Sequence, residues 1–172
     1  LSDYTPPNRA PVDGTAPTIT AFELVDATTL SVTANEAGTA RLEAEDGTEI
    51  AQVNLTAGTA ATINIAAQNT APASRLIVAD SAGNETTSPT GVALGTNGND
   101  GAIEFDGVGG SLFWVGYDGN DTLVSISSSD MLDGGNGTDT LIPGGDGTRT
   151  FDSDANIQNV EQIRSTTFTS IN

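Results

Sequence analysis

The chain has 172 residues, of which 23 are acidic and five are basic, so its formal net charge is −18 at pH 7. It contains no histidine and no cysteine, which excludes disulfides, Ser-His-Asp and Cys-His catalysis, and ordinary zinc, copper, haem and iron–sulfur sites. This charge disfavours nucleic acid and anionic membranes as partners and favours hard divalent cations, which prefer oxygen ligands.

The first 17 residues contain four prolines and show no hydrophobic periodicity. We therefore predict an extended arm or linker over 1–17. Such an arm could contact a second copy of the chain by adding a strand to a neighbouring sheet. The chain has no run of about 20 apolar residues, so we predict no membrane insertion.

Residues 18–94 consist of short segments with period-2 alternation, separated by turn residues. The predicted strands are Thr18–Leu24, Thr29–Ala34, Glu49–Thr56, Thr62–Ile65 and Arg75–Ala79. The predicted turns are Asn35–Gly38, Asp46–Gly47, Ala57–Gly58 and Ser81–Asn84. Strands at this spacing, without sustained helical periodicity, predict an all-β sandwich.

The same segment resembles bacterial immunoglobulin-like domains. The resemblance is carried by the phrases at 15–17 (TAP), 34–39 (ANEAGT) and 78–85 (VADSAGNE). It implies an immunoglobulin-like β-sandwich over 18–94. It also implies a role in spacing, display or adhesion in long extracellular proteins, and not catalysis.

From residue 95 glycine and aspartate become frequent, and an internal repeat appears. The segment 116–124 (GYDGNDTLV) recurs 18 residues later as 134–142 (GGNGTDTLI). Steps of nine residues give an acidic column of Asp121, Asp130 and Asp139. The same steps give an apolar column of Phe105, Trp114, Leu123, Leu132 and Leu141, which we expect to form a thin core.

This repeat is similar to the calcium-binding nonapeptide repeat of RTX proteins. Its glycines permit sharp turns that point carbonyls inward, its aspartate adds a carboxylate, and the following short strand buries one apolar residue. Because two nonapeptides make one turn of a coil, loop 116–121 should lie over loop 134–139. An ion between them could bind Asp121 and Asp139. For an isolated Asp-Gly or Asn-Gly pair, a turn without any ligand is the alternative.

We therefore predict a calcium-binding β-roll over 95–151 that holds one to three Ca²⁺ ions. The candidate ligands are Asn97, Asp100, Gly116, Asp118, Asp121, Asp130, Asp133, Gly134, Asn136, Asp139 and Asp146. Four of these, Gly116, Asp118, Gly134 and Asn136, would bind through backbone carbonyls. Residues 95–150 hold nine acidic residues and one arginine, so we expect this segment to be largely disordered until calcium binds.

Residues 152–172 are predicted to form a cap and a C-terminal edge strand. The segment 154–163 resembles phrases that close RTX repeat blocks, and its lack of glycine is typical of a terminal cap. The tail at 166–172 alternates weakly and could be this edge strand, which can pair with another chain if it is uncovered.

Two further groups have competing interpretations. Asp13, Glu36 and Asp80 could hold an ion near the ends of the sandwich, although solvated turn carboxylates are the favoured interpretation. Trp114 and Tyr117 could form a sugar-stacking face, although a core tryptophan beside a rim tyrosine is favoured.

The resemblances together imply a secreted bacterial protein, commonly exported by type I secretion, that folds in extracellular calcium. We predict a non-catalytic structural protein of the cell surface or matrix, such as a self-assembling filament, surface-layer or adhesin subunit. One alternative is a calcium-dependent module that binds a glycan or a protein. Another is a non-catalytic C-terminal module of a secreted protease or lipase.

Overall fold

The computed structural model describes residues 13–101, 111–125, 127, 129–143 and 157–164. These residues form fifteen strands and no helix, so the all-β prediction is confirmed. Within this part of the chain, no helix is available that could cross a membrane. The strands are β1 (Ile19–Asp26), β2 (Thr29–Ala34), β3 (Gly38–Ala44), β4 (Glu49–Leu55), β5 (Ala61–Asn64), β6 (Ala73–Asp80), β7 (Glu85–Leu94), β8 (Leu112–Val115), β9 (Asp118–Gly119), β10 (Thr122–Ser125), β11 (Met131–Asp133), β12 (Asn136–Gly137), β13 (Thr140–Pro143), β14 (Ile157–Gln158) and β15 (Gln162–Ile163).

The first seven strands form a two-sheet unit. An antiparallel sheet has the order β1-β2-β5, and β4, β3, β6 and β7 are consecutive in a seven-stranded sheet. Every second residue of β2 and β6 is buried, so each strand presents one face to the interior. One hydrophobic cluster contains side chains of both sheets, including Leu30, Val32, Ile63, Leu42, Leu76 and Val78. The two sheets therefore share one core.

Five of these seven strands lie where alternation predicts them, with ends that differ by at most two residues. Strands β3 and β7 are not predicted, and Gly38, which is predicted to lie in a turn, is the first residue of β3. The buried side of β3 is mostly small, with Ala40 and Ala44 beside Leu42, which weakens its hydrophobic signal. Strand β7 contains Pro89 at a register irregularity, where the missing N–H is tolerated.

Strands β8–β15 pair in parallel and form successive turns of a β-coil, which we call the coil. Phe113 pairs with Met131, Asp118 with Asn136 and Thr122 with Thr140, and each pair is separated by 18 residues. The predicted stacking of loop 116–121 over loop 134–139 is therefore confirmed. Strands β14 and β15 add a last rung by pairing with β11 and β13.

A second hydrophobic cluster fills this coil. Its buried members are Ala93, Leu112, Trp114, Leu123, Leu132 and Leu141. The predicted apolar column is thus confirmed for four residues, whereas Phe105 lies outside the described residues. Trp114 is fully buried, so it belongs to the core and not to a sugar-stacking face.

The two ends of the chain are only partly described. Residues 13–17 of the predicted arm contact the two-sheet unit through Asp13, whose carbonyl accepts a hydrogen bond from Asn84 Nδ2 at 3.1 Å. The carbonyl of Pro17 accepts one from Thr86 Oγ1. The rest of the arm and the predicted edge strand at 166–172 lie outside the described residues.

Candidate metal site

Successive turns on one side of the coil form what we call the turn stack, which consists of 95–100, 116–121, 134–139 and 159–161. Each turn contributes one carboxylate to an acidic column of Asp100, Asp121, Asp139 and Glu161. The amide N–H of each aspartate donates to the carboxylate of the next turn, over 2.8 Å to Asp121 Oδ1, 2.7 Å to Asp139 Oδ1 and 2.7 Å to Glu161 Oε2. These bonds fix one oxygen of each of the last three carboxylates.

The second carboxylate oxygens of Asp121 and Asp139 are buried and have no hydrogen-bond partner. Their residues are only 1% and 0% exposed. A buried carboxylate oxygen without a partner is costly, because nothing replaces the water it has lost. These two atoms are therefore candidate ligands for a cation.

Glycines leave room for backbone oxygens beside these carboxylates. A Cβ on Gly116 would overlap both the carbonyl oxygen of Gly134 and Asp121 Oδ2. A Cβ on Gly134 would overlap the carbonyl oxygen of Asn159 and lie 2.6 Å from Asp139 Oδ2. A Cβ on Gly95 would likewise overlap the carbonyl oxygen of Gly116 and lie 2.7 Å from Asp100 Oδ2, but this carboxylate oxygen already accepts a 2.6 Å hydrogen bond from the Thr96 amide. Beside Gly116 and Gly134, an unpartnered carboxylate oxygen and a carbonyl oxygen of the following turn thus lie close together, and both are of the kind that Ca²⁺ prefers as ligands.

The electrostatics of the column also favour a cation. Burial raises the pKa of Asp121 to about 6, although the hydrogen bond from the Asp100 amide lowers it. The negative charges of Asp139 and Asp100 raise this pKa further. Burial likewise raises the pKa of Asp139, with the carboxylates of Glu161 and Asp133 as further causes. Since each raised pKa reflects an unfavourable negative charge, a bound cation would stabilise the ionised column.

The structure brings five of the predicted ligands together along the acidic column: Asp100, Gly116, Asp121, Gly134 and Asp139. Glu161 and Asn159 are not among the predicted ligands, because they lie in a segment that is predicted only to be a cap. Asn159 has a positive φ of 50°. Asparagine is one of the few residues other than glycine that adopt this conformation, so it can make a tight turn here without the glycines of the preceding turns.

Two predicted ligands take other structural positions. Asp130 precedes β11, and its two carboxylate oxygens accept the N–H groups of Leu112 and Ser127, each over 2.9 Å. Asp133 accepts hydrogen bonds through Oδ1 from Gly135 N and from Asn159 Nδ2. Neither side chain belongs to the acidic column. Asp130 is left out because the coil pairs residues that are 18 apart, and not nine apart, whereas Asp133 is the last residue of β11 and precedes the turn at 134–139.

The remaining predicted ligands lie at the outer surface or outside the described residues. The side chains of Asp118 and Asn136 are exposed and are joined by a 2.8 Å hydrogen bond from Asn136 Nδ2 to Asp118 Oδ1. Asn97 is exposed on the first turn of the stack. Asp146 lies outside the described residues.

A separate acidic group lies at one end of the two-sheet unit. Asp13, Glu36 and Asp80 each place one carboxylate oxygen within 4.8 Å of the others. The oxygens of Asp80, however, already accept hydrogen bonds from Ala82 and Asn84, and the Asn84 side chain is the main cause of its lowered pKa. The turn accounts for Asp80 without an ion.

No protein-family model, curated protein or solved structure matches the chain.

Proposed function

We propose that the chain is an extracellular calcium-binding, non-catalytic structural protein of the bacterial cell surface or matrix. In this proposal residues 18–94 are an immunoglobulin-like sandwich, residues 95–151 are an RTX-like β-roll, and residues 152–172 form its cap. The observation that carries the proposal is the pair of buried, unpartnered Oδ2 atoms of Asp121 and Asp139.

Calcium fits these residues better than other metals. The chain has no histidine or cysteine to supply nitrogen or sulfur ligands. The carbonyl oxygens of Gly134 and Asn159 lie beside the carboxylates of Asp121 and Asp139, which gives a mixed oxygen set that suits the flexible coordination of Ca²⁺. Mg²⁺ requires a near-ideal octahedron and usually keeps several waters, so it suits buried oxygens less well.

The proposed structural role rests on the way in which bound calcium would hold the turns of the coil together. Calcium would join consecutive turns of the coil by sharing their oxygens, and the bound ion would stabilise the folded chain. Self-assembly would use the N-terminal arm or the C-terminal edge strand, which can add to a neighbouring sheet. Extracellular calcium would make folding dependent on export.

Calcium titration tests this proposal, with isothermal calorimetry for stoichiometry and Trp114 fluorescence for burial of the coil core. Trp114 is the only tryptophan in the chain, and it lies fully buried in this core. We expect saturable binding of at least one ion together with a blue shift of the emission.

The double variant Asp121→Asn/Asp139→Asn should lose both signals. The variant Glu23→Gln, which changes an exposed carboxylate in β1, should keep them. Absence of binding in the unaltered chain would disprove the proposal.

A further inference from the structure

Strand β7 belongs to both halves of the molecule. On one edge it pairs antiparallel with β6 of the two-sheet unit, and on the other it pairs parallel with β8 of the coil. The order β14-β11-β8-β7-β6-β3-β4 is therefore one continuous sheet. Alternate residues of β7 serve different interiors, because Val92 and Leu94 lie in the core of the two-sheet unit and Ala93 lies in that of the coil.

The coil also supplies side chains to the core of the two-sheet unit. Phe113 and Val115 of β8 are buried in that core, and Tyr117 and Met131 pack against it. The ring of Phe113 contacts the ring of Phe22 in β1, with centroids 5.2 Å apart. The opposite face of β8 carries Trp114 into the coil core. One four-residue strand thus joins the two cores.

The turn stack begins where β7 ends. Gly95 follows the last residue of β7, and its amide donates to the Val115 carbonyl over 2.8 Å. Its carbonyl accepts a 2.8 Å hydrogen bond from the amide of Gln68, in the loop between β5 and β6. The first turn of the candidate metal site is therefore held in place by the two-sheet unit.

We propose that the two-sheet unit and the coil unfold together, so that cation binding in the turn stack stabilises strands on the far side of the two-sheet unit. This inference rests on the proposed calcium binding. A ligand that binds only the folded state stabilises every segment that unfolds with its site. Loss of β8 would remove a partner of β7 and open the core at Phe113 and Val115. By reciprocity, loss of the two-sheet core would weaken cation binding.

Hydrogen–deuterium exchange of the full chain tests the coupling. The measurement compares the exchange rates of amides in β2 and β3 with those in β10 and β13. Strands β2 and β3 pair with neither the turn stack nor β8. At free calcium 100 times the dissociation constant, linkage at one site slows exchange through global unfolding roughly 100-fold relative to chelator. We expect this slowing in both sets. Slowing confined to β10 and β13 would overturn the coupling and leave the proposed function intact.

A pair of core variants tests whether the Phe113 contact carries the coupling between the coil and the two-sheet unit. Phe113→Ala should reduce the calcium-induced protection of β2 while calorimetry still detects calcium binding, because it removes the contact that joins the cores. Ile63→Ala, a truncation in β5 of the two-sheet unit, should leave that induced protection in place although it lowers overall stability. Equal loss of induced protection in the two variants would overturn the role of the β8 contact. If calorimetry detects no calcium binding to the unaltered chain, the proposed function and this inference fail together.

Discussion

At the scale of single residues, two buried aspartates show how similar environments support different roles. Asp130 and Asp121 are 0% and 1% exposed. Both oxygens of Asp130 accept backbone N–H groups, which accounts for its burial by hydrogen bonding alone. Asp121 uses one oxygen in this way and leaves the other buried without a partner. The second oxygen, and not the burial, identifies the metal candidate.

The contrast predicts different effects of the same substitution. Asp139→Asn should lower the calcium stoichiometry by at least one ion or weaken that site at least tenfold, about 1.4 kcal/mol. Asp130→Asn should keep the stoichiometry but lower stability in calcium by about 1–3 kcal/mol, because an amide cannot accept both backbone bonds. Calorimetry and urea unfolding measure the two effects. A lower stoichiometry for Asp130→Asn would place that residue among the ligands.

The approach of backbone oxygens to Gly116 predicts that Gly116→Ala weakens calcium binding at least tenfold. The added methyl group would overlap the Gly134 carbonyl and Asp121 Oδ2, so both oxygens must move. Gly47→Ala is an informative control. It changes a glycine at a positive φ with open space around it, so it should cost stability without changing calcium affinity. Calorimetry on both variants provides the measurement, and equal affinities would contradict the prediction.

The pKa of Asp121 predicts a pH dependence whose sign changes with calcium. Because its folded-state pKa is about 6 and the ordinary value is 3.8, the folded state binds more protons between these values. Without calcium, acidification from pH 7 to pH 5 should therefore favour folding of the coil. With calcium, the same acidification should weaken binding, because the ion requires ionised carboxylates. The emission maximum of Trp114 reports both trends. A coil that folds less at pH 5 than at pH 7 in calcium-free buffer would contradict the first.

At the scale of elements, β14 and β15 form the last turn of the coil although they lie outside the repeat. Strands β14 and β15 do not follow the nine-residue phase, yet they pair with β11 and β13 in register. Ile157 packs against the coil core, whereas Ile163 on the same rung is 69% exposed. One residue closes the core and the other faces outward.

This asymmetry predicts that Ile157→Asp lowers stability in calcium by about 1–3 kcal/mol, because it places a charge at the edge of the coil core. The identical change Ile163→Asp adds the same charge at an exposed position and should alter stability by no more than about 0.5 kcal/mol. Urea unfolding followed by Trp114 fluorescence provides the comparison. Equal losses would show that the two positions are equivalent.

At the scale of the whole molecule, charge opposes compaction. The chain of 172 residues has a net charge of −18, so its acidic side chains repel one another. The acidic column concentrates part of this repulsion in one stack of carboxylates. Divalent cations would reduce the repulsion most where the carboxylates are closest. Compaction and assembly should therefore both depend on calcium.

Light scattering after size exclusion, in chelator and then in millimolar calcium, tests this expectation. We expect an expanded monomer in chelator and large particles in calcium, because folded copies would present the predicted arm and the predicted C-terminal edge strand to one another. Removal of residues 1–12 should reduce particle size if the arm makes the contact. Compaction of a monomer without any increase in mass would instead favour the ligand-binding module.

Much of the architecture follows from local sequence patterns. Period-2 alternation locates most strands of the two-sheet unit, and the 18-residue repeat gives the register of loops 116–121 and 134–139. The apolar positions at Trp114, Leu123 and Leu132 enter the coil core as their spacing requires. These features are predictable because side-chain direction in a strand, and the stacking of equal repeats, depend only on residues close in sequence.

The tertiary structure decides which carboxylates share a column. Consecutive members of the acidic column are separated by 21, 18 and 22 residues, and only the middle interval equals the repeat. Asp100 and Glu161 enter the column at intervals that differ from the repeat, while the regular nine-residue phase places Asp130 outside it.

By itself, the sequence determines an all-β chain with an oxygen-rich repeat, because alternation, glycine spacing and charge act locally. Only the tertiary structure completes the column with Glu161 and makes β7 a strand of both units, because these contacts depend on the lengths of the connections and on the packing of two cores against one strand.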